Sequence, residues 1–138
     1  MSYDPKNFIY QNGLRTTAAY QVSGVPYATG SLSLEASNGN AFKVAFPYVT
    51  RWLTVVNRSN QNVRVGFSKA GVEGTNYFTV HKGNTTPTDM SRLELKVNEI
   101  HLLSHGSAIT SQVDIVAGLT TIPTGSLPTN WSGSVGVG

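Results

Sequence analysis

Seven carboxylates and three histidines are the only groups in this 138-residue chain from which an acid–base site could be built. Glu94, Glu99 and Asp114 fall at polar positions of alternating segments, where a solvated surface role is expected. Asp4, Glu73 and Asp89 fall in the N-terminal stretch or in loops. Two carboxylates facing each other across a cleft would suit glycoside hydrolysis, but spacing singles out no pair. His101 and His105 lie four positions apart. On a helix that spacing could place two imidazoles on one metal. On an extended strand their Cβ atoms stand about 13 Å apart at ~3.3 Å per residue, too far for ligand bonds of ~2.1 Å. The segment reads as extended, so no metal is expected. His81 alternates with Val80 and reads as a surface strand residue.

No G-x-S-x-G elbow, P-loop or G-x-G-x-x-G is present. Gly71-Val72-Glu73-Gly74 lacks the following Lys-Ser/Thr and reads as a turn between two strands. Zero cysteines remove disulfides, thiolate metal sites and a cysteine nucleophile. Three Asn-x-Ser/Thr sequons, at Asn57, Asn84 and Asn130, are close to what 11 Asn and 29 Ser/Thr produce by chance, and carry no functional weight. The chain is therefore expected to have no catalytic residue and no cofactor, and not to be an enzyme.

The elements that would position these side chains follow from composition and period. Charged residues make up 12%, about half the usual share, while Thr, Ser, Gly and Asn supply 54 residues. That profile excludes a coiled coil and a charge-rich disordered chain. No apolar run is long enough for a transmembrane helix, and Met1–Lys6 lacks the apolar stretch of a signal peptide. Net charge is +5 over residues 1–69 and −2 over 70–138. The bases Lys43, Arg51, Arg58, Arg64 and Lys69 are dispersed, so no specific nucleic-acid partner is expected.

Between residues 31 and 123 the hydrophobic period is two almost throughout. Leu32 and Leu34, Phe42 and Val44, Val63 and Val65, Phe78 and Val80, Leu93 through Val97, Ile100 and Leu102, and Val113 through Leu119 each mark a strand with one apolar face. Thr50–Arg58 is apolar on both faces, with Leu53 and Val55 on one and Trp52 and Val56 on the other. The parity flips at Asn98-Glu99, which predicts a bulge or a tight corner. Eight short strands at spacings of about 10–12 residues predict an all-β fold, a single eight-stranded jelly-roll sandwich over residues 31–123. Residues 1–30, punctuated by Gly13, Gly24, Pro26 and Gly30, read as an extended arm, and 124–138 as an irregular Gly/Ser/Pro-rich tail.

A bare sandwich with long polar ends and no convergent chemistry suits a building block or a binding module. The arm aromatics Phe8, Tyr10, Tyr20 and Tyr27 could dock on a neighbour or on the chain's own sheet. Trp52 and Tyr48 are candidate interface residues; with Tyr77 and Trp131 they are also the rings on which a sugar could stack. The arm is expected to be fixed only where burial offsets the entropy of ordering it: on an adjacent chain or the inside of a shell.

The strings FPYVTRWLTVVN (46–57), VRVGFSKAGVEGTNYF (63–78), RLELKVNEIHLL (92–103) and IVAGLTTIP (115–123) resemble the small single jelly-roll proteins of large icosahedral DNA viruses. They are most similar to the penton proteins at the five-fold vertices of shells built from double jelly-roll major capsid proteins. The resemblance covers about two-thirds of the chain, residues 31–123. It implies a structural role as a homopentamer in contact with major and minor capsid proteins, located at a capsid vertex of the virion and assembled in the host cytoplasm. It carries no catalytic residue. No connection here exceeds about ten residues, leaving no room for an inserted receptor-binding domain. The alternatives from the residues alone are a minor capsid, cement or fibre protein and a lectin-like carbohydrate-binding module.

Overall fold

Residues with one apolar face at period two can bury that face only by pairing into a sheet and stacking the sheet on another. In the computed structural model, which describes residues 24–83, 88–89, 92–126 and 130–138, they do so. The strands are β1 (Val25–Leu34), β2 (Phe42–Ala45), β3 (Tyr48–Asn57), β4 (Val63–Gly66), β5 (Phe78–Val80), β6 (Thr88–Asp89), β7 (Glu99–Ser104) and β8 (Thr110–Pro123). They form two antiparallel sheets, ordered β1-β8-β3-β6 and β2-β7-β4-β5. The fold is all-β, with almost no helix among the described residues. Leu34, Leu53, Val55, Val113, Ile115 and Leu119 of the first sheet meet Val44, Val63, Val65, Ile100 and Leu102 of the second in one buried cluster.

The first strand begins at Val25, inside the stretch read from sequence as arm. Pro26 and Gly30 conceal it, because both break regular structure in a central strand. β1 is an edge among the described strands, and an edge tolerates a proline, which has no N–H to give a neighbour. Val25 lies opposite Leu119 and Tyr27 opposite Ala117. The Tyr27 ring packs edge-on against Phe46 with centroids 5.1 Å apart, so this aromatic serves the chain's own core. Phe8, Tyr10 and Tyr20 lie outside the described residues.

Register between β1 and β8 slips between Thr29 and Leu32. The irregularity is held by Asp114 of β8. Its Oδ1 accepts from the Ser31 backbone N–H at 2.8 Å, and Arg58 grips the same carboxylate through Nε (2.8 Å) and Nη2 (3.1 Å). Ser31 itself sits at φ 54°, the left-handed region. Arg58 and the Ser31 amide hold the Asp114 carboxyl below its ordinary value. A carboxylate depressed in the folded state contributes stability that is fully present above its unfolded value and is lost as pH falls through its folded value. Glu73 and Glu94 are shifted the same way, each first through a hydrogen bond from its cation, Lys69 and Arg51. The melting temperature should therefore fall as pH drops below about 4, and Asp114→Asn should be less stable at pH 7 with a shallower acid decline. An Asp114→Asn variant with an unchanged melting curve at both pH values would remove Asp114 from this account.

Two further segments differ from the sequence reading. Lys69–Glu73, expected as a turn, is a short helix, α1. Ser68 caps it by accepting from Gly71 N–H, Lys69 pairs with Glu73 at 2.8 Å, and Val72 is fully buried. Residues 92–98, expected to hold a strand of their own at Leu93–Val97, belong to no ladder. They run beside β3, with Leu53 and Leu93 exchanging backbone bonds of 2.9 and 2.8 Å and Thr50 N–H donating to Val97 O at 2.9 Å. At Asn98 the chain leaves β3 and enters β7 of the other sheet, which is the corner the parity flip demands.

Candidate interaction surface

Two of the groups that could do chemistry, Glu99 and His101, come together, and the place is buried. Glu99 and His101 are two apart on β7, so they share its outer face while Ile100 and Leu102 point inward. The sequence reading makes Glu99 a solvated residue. It is instead 8% exposed, and His101 7%, because α1 packs across β4 and β7 and the C-terminal segment lies beside it. His101 Nε2 is 2.6 Å from Glu99 Oε2, and Lys43 Nζ is 3.7 Å from the same oxygen. Glu73 faces this group from α1, where it accepts from Ala41 N–H at 2.9 Å. Among the described residues, no three His, Cys, Asp or Glu are grouped so as to hold a metal. The Glu99–His101 contact is thus buried, with the exposed Lys43 at its edge.

His105 does not join His101. It lies beyond the end of β7, exposed, and its Nδ1 accepts from Arg64 Nε at 3.0 Å. Arg64 in turn covers the Tyr77 ring at 4.5 Å. His81 is exposed just after β5.

The expected irregular tail is anchored to the sandwich by Asn130, which is 1% exposed. Its amide donates to Glu99 O and Phe67 O, and its Oδ1 accepts from Asn98 N–H at 2.9 Å. Asn130 and Trp131 adopt φ 44° and 59°, conformations that asparagine tolerates better than most residues. Farther on, Ser68 Oγ donates to Val137 O at 2.7 Å. A Cβ on Gly71 would stand 2.1 Å from that same carbonyl, so the close approach requires glycine. Gly71→Ala should detach residues 132–138 while sparing the sheets, read as new protease cleavage in that segment with an unchanged far-ultraviolet dichroism spectrum. No signal in the sequence distinguishes Asn130 from the ten other asparagines.

What stays open is the outer face of the first sheet. Register places Pro26, Gly118 and Trp52 in one row across β1, β8 and β3, and Ala28, Val116 and Thr54 in the next. A sheet face turned to water is ordinarily polar. This one is mostly apolar, and Val116 at its centre is 37% exposed. With no side chain on Gly118, a trough of about 570 Å³ runs between Trp52 and the β1 edge. Trp52 is half-buried, with the Arg92 guanidinium 5.8 Å from its ring. Tyr48, at the start of β3 opposite Pro123, is 37% exposed. A second hollow of about 270 Å³ lies between Trp131, Leu95 and Phe67. The structure thus separates the candidate residues: Tyr48 is exposed, Trp52 is half-buried on the open face, and Tyr27 is half-buried against the core. Among the described residues no helix is long and apolar enough to cross a membrane.

Comparison of the chain with protein-family models, with characterised proteins and with solved structures finds no match to any of them.

Proposed function

We propose that this chain is a structural capsid protein, a single eight-stranded jelly roll of which five copies form the five-fold vertex of an icosahedral shell. The observation that carries the reading is the pairing of the strands. β1 pairs with β8, β2 with β7, β3 with β6 and β4 with β5. An antiparallel ribbon of four strand pairs, bent over so that alternate pairs fall in opposite sheets, would have that order, which supports the double Greek key of a jelly roll. The four capsid-like strings of residues 46–123 cover β3, β4 with α1, β7 and much of β8 in sequence. An open apolar face suits a protein whose work is to be packed against.

In this reading the partners are four further copies, the major capsid protein and minor capsid proteins, and the place of work is the capsid vertex, after assembly in the host cytoplasm. A five-fold ring uses heterologous contacts, one patch meeting a different patch on the next copy. Native mass spectrometry of the purified chain, with class-averaged electron micrographs, tests this. A closed pentamer is expected. A trimer would favour a cement or fibre protein, and a monomer that binds a glycan array through Trp52 or Trp131 would favour the lectin-like module.

A further inference from the structure

β7 separates two unlike ends of the sandwich, about 20 Å apart at ~3.3 Å per residue. At its entry lies the smaller hollow, about 270 Å³, whose walls are almost wholly apolar: Trp131, Leu95, Phe67, Val97 and Val137. Lys96 is the one charged residue that lines it. Trp131 and Leu95 are exposed, and Val135 of the same C-terminal segment is fully so. This end thus gathers three of the seven large apolar side chains that the described residues leave in water.

At the exit of β7 stands Ile109, 66% exposed. Register fixes its neighbour. Leu34 lies opposite Thr110, so the next residues outward, Glu35 and Ile109, stand side by side at about 5 Å. Backbone bonds from Ser104 N–H to Glu35 O (3.1 Å) and from Ser37 N–H to Gly106 O (3.0 Å) hold the two loops together. Glu73, Glu94, Glu99 and Asp114 each lie against a cation, whereas Glu35 makes no ion pair among the described residues.

One end therefore offers an apolar knob with an acid beside it, and the other an apolar hollow with a base on its rim. Unlike patches that match in this way make a heterologous contact, the kind from which a closed ring of copies is built. A different partner would have to supply both features at once; a second copy of this chain already carries them. We propose that Ile109 of one copy seats in the hollow between Trp131, Leu95 and Phe67 of the next, with Glu35 set against Lys96 across the rim. The contact rests on the vertex reading for its closure at five, while the pairing itself needs only a head-to-tail arrangement. The knob is the centre of the interface and not its whole extent, since a stable contact covers ~800 Å² on each partner.

The chain has no cysteine, so an introduced pair reports a single contact. Ile109→Cys and Leu95→Cys are combined in one full-length chain, both positions being exposed in the protomer, and the protein is mildly oxidised. The expected product is a disulfide between copies, in a covalent ladder that ends at the pentamer, with only monomer from either single variant. Ile109→Lys, a charge driven into an apolar hollow beside Lys96, should weaken assembly at least about tenfold with unchanged β dichroism. Lys96→Glu should weaken it roughly two- to five-fold, and adding Glu35→Lys should restore it. A native pentamer that tolerates Ile109→Lys overturns the contact and leaves the vertex reading standing. A disulfide ladder that runs past five keeps the contact and removes the vertex. Disulfide dimers from Ile109→Cys alone would reveal a two-fold contact and overturn the proposal. So would a chain that native mass spectrometry finds monomeric and that oxidation leaves unlinked. Should the disulfide fail to form in a pentamer, Ile109→Lys decides alone.

Discussion

Asn57→Ala should lower the unfolding free energy by about 4 kcal/mol, a large share of the 5–15 kcal/mol typical of a whole domain. The side chain is completely buried at the end of β3. Its amide donates to Gln61 O at 2.7 Å, His81 O at 3.1 Å and Val80 O at 3.3 Å. Its oxygen accepts from Ser59 N–H at 2.9 Å and Ser59 Oγ at 2.6 Å. One residue thus closes the turn from β3 to β4 and fastens it to the end of β5. Alanine would leave these partners in a site without water, at about 1–3 kcal/mol for each group left unsatisfied. Asn57→Asp keeps the acceptor and loses the donors, and should fall between the two. Equilibrium urea unfolding is the measurement. A loss below about 1 kcal/mol would mean that the turn finds other partners. The same burial removes Asn57-Arg58-Ser59 from the set of usable glycosylation sequons, because the amide nitrogen that would carry the sugar is already committed.

Glu99→Leu should cost about 3 kcal/mol, and the loss should be largely restored by adding His101→Leu. Removing one partner of a buried pair leaves the other desolvated and unmatched, whereas replacing both with apolar groups of similar size is often close to neutral. Here His101 would keep no carboxylate within hydrogen-bond reach, and Lys43 would lose the oxygen 3.7 Å away. A double variant as unstable as the single one would show that the pair holds α1 by specific contacts that leucines cannot replace. Calorimetric melting of the four proteins of the cycle gives the coupling directly.

The period-two pattern made most of the strands legible because each apolar side chain in a one-sided sheet repeats the same local instruction. Leu53 and Trp52 lie on opposite faces, as that pattern alone predicts. What the pattern could not carry was anything supplied by distant residues. Glu99 alternates as a surface residue should, and it is buried because residues 69–73 and 130–138 cover it. α1 is five residues long, too short for a 3.6 period to register, and its signals are the Ser68 cap and the Lys69–Glu73 pair. β1 was hidden by Pro26 and Gly30, which are tolerated only because its outer edge has no neighbour among the described strands. Of the surface, Trp52 and Tyr48 were legible as candidates, while the trough was not, since it exists only where β8 places Gly118 between β1 and β3.

The order of the strands also bears on how the chain emerges from the ribosome. The central positions of both sheets are filled by the last two strands: β8 lies between β1 and β3, and β7 between β2 and β4. Until they appear, β1 and β3 have a gap where their common partner belongs, and only close neighbours such as β4 and β5 can pair. At ~5–20 residues per second, about 4–17 s pass between synthesis of Val25 and of Thr110. For that interval the nascent chain presents unpaired apolar strands, the condition under which edges find wrong partners. A chaperone that shields β-rich nascent chains should therefore raise the yield of native protein more than any slowing of translation, which lengthens the exposure.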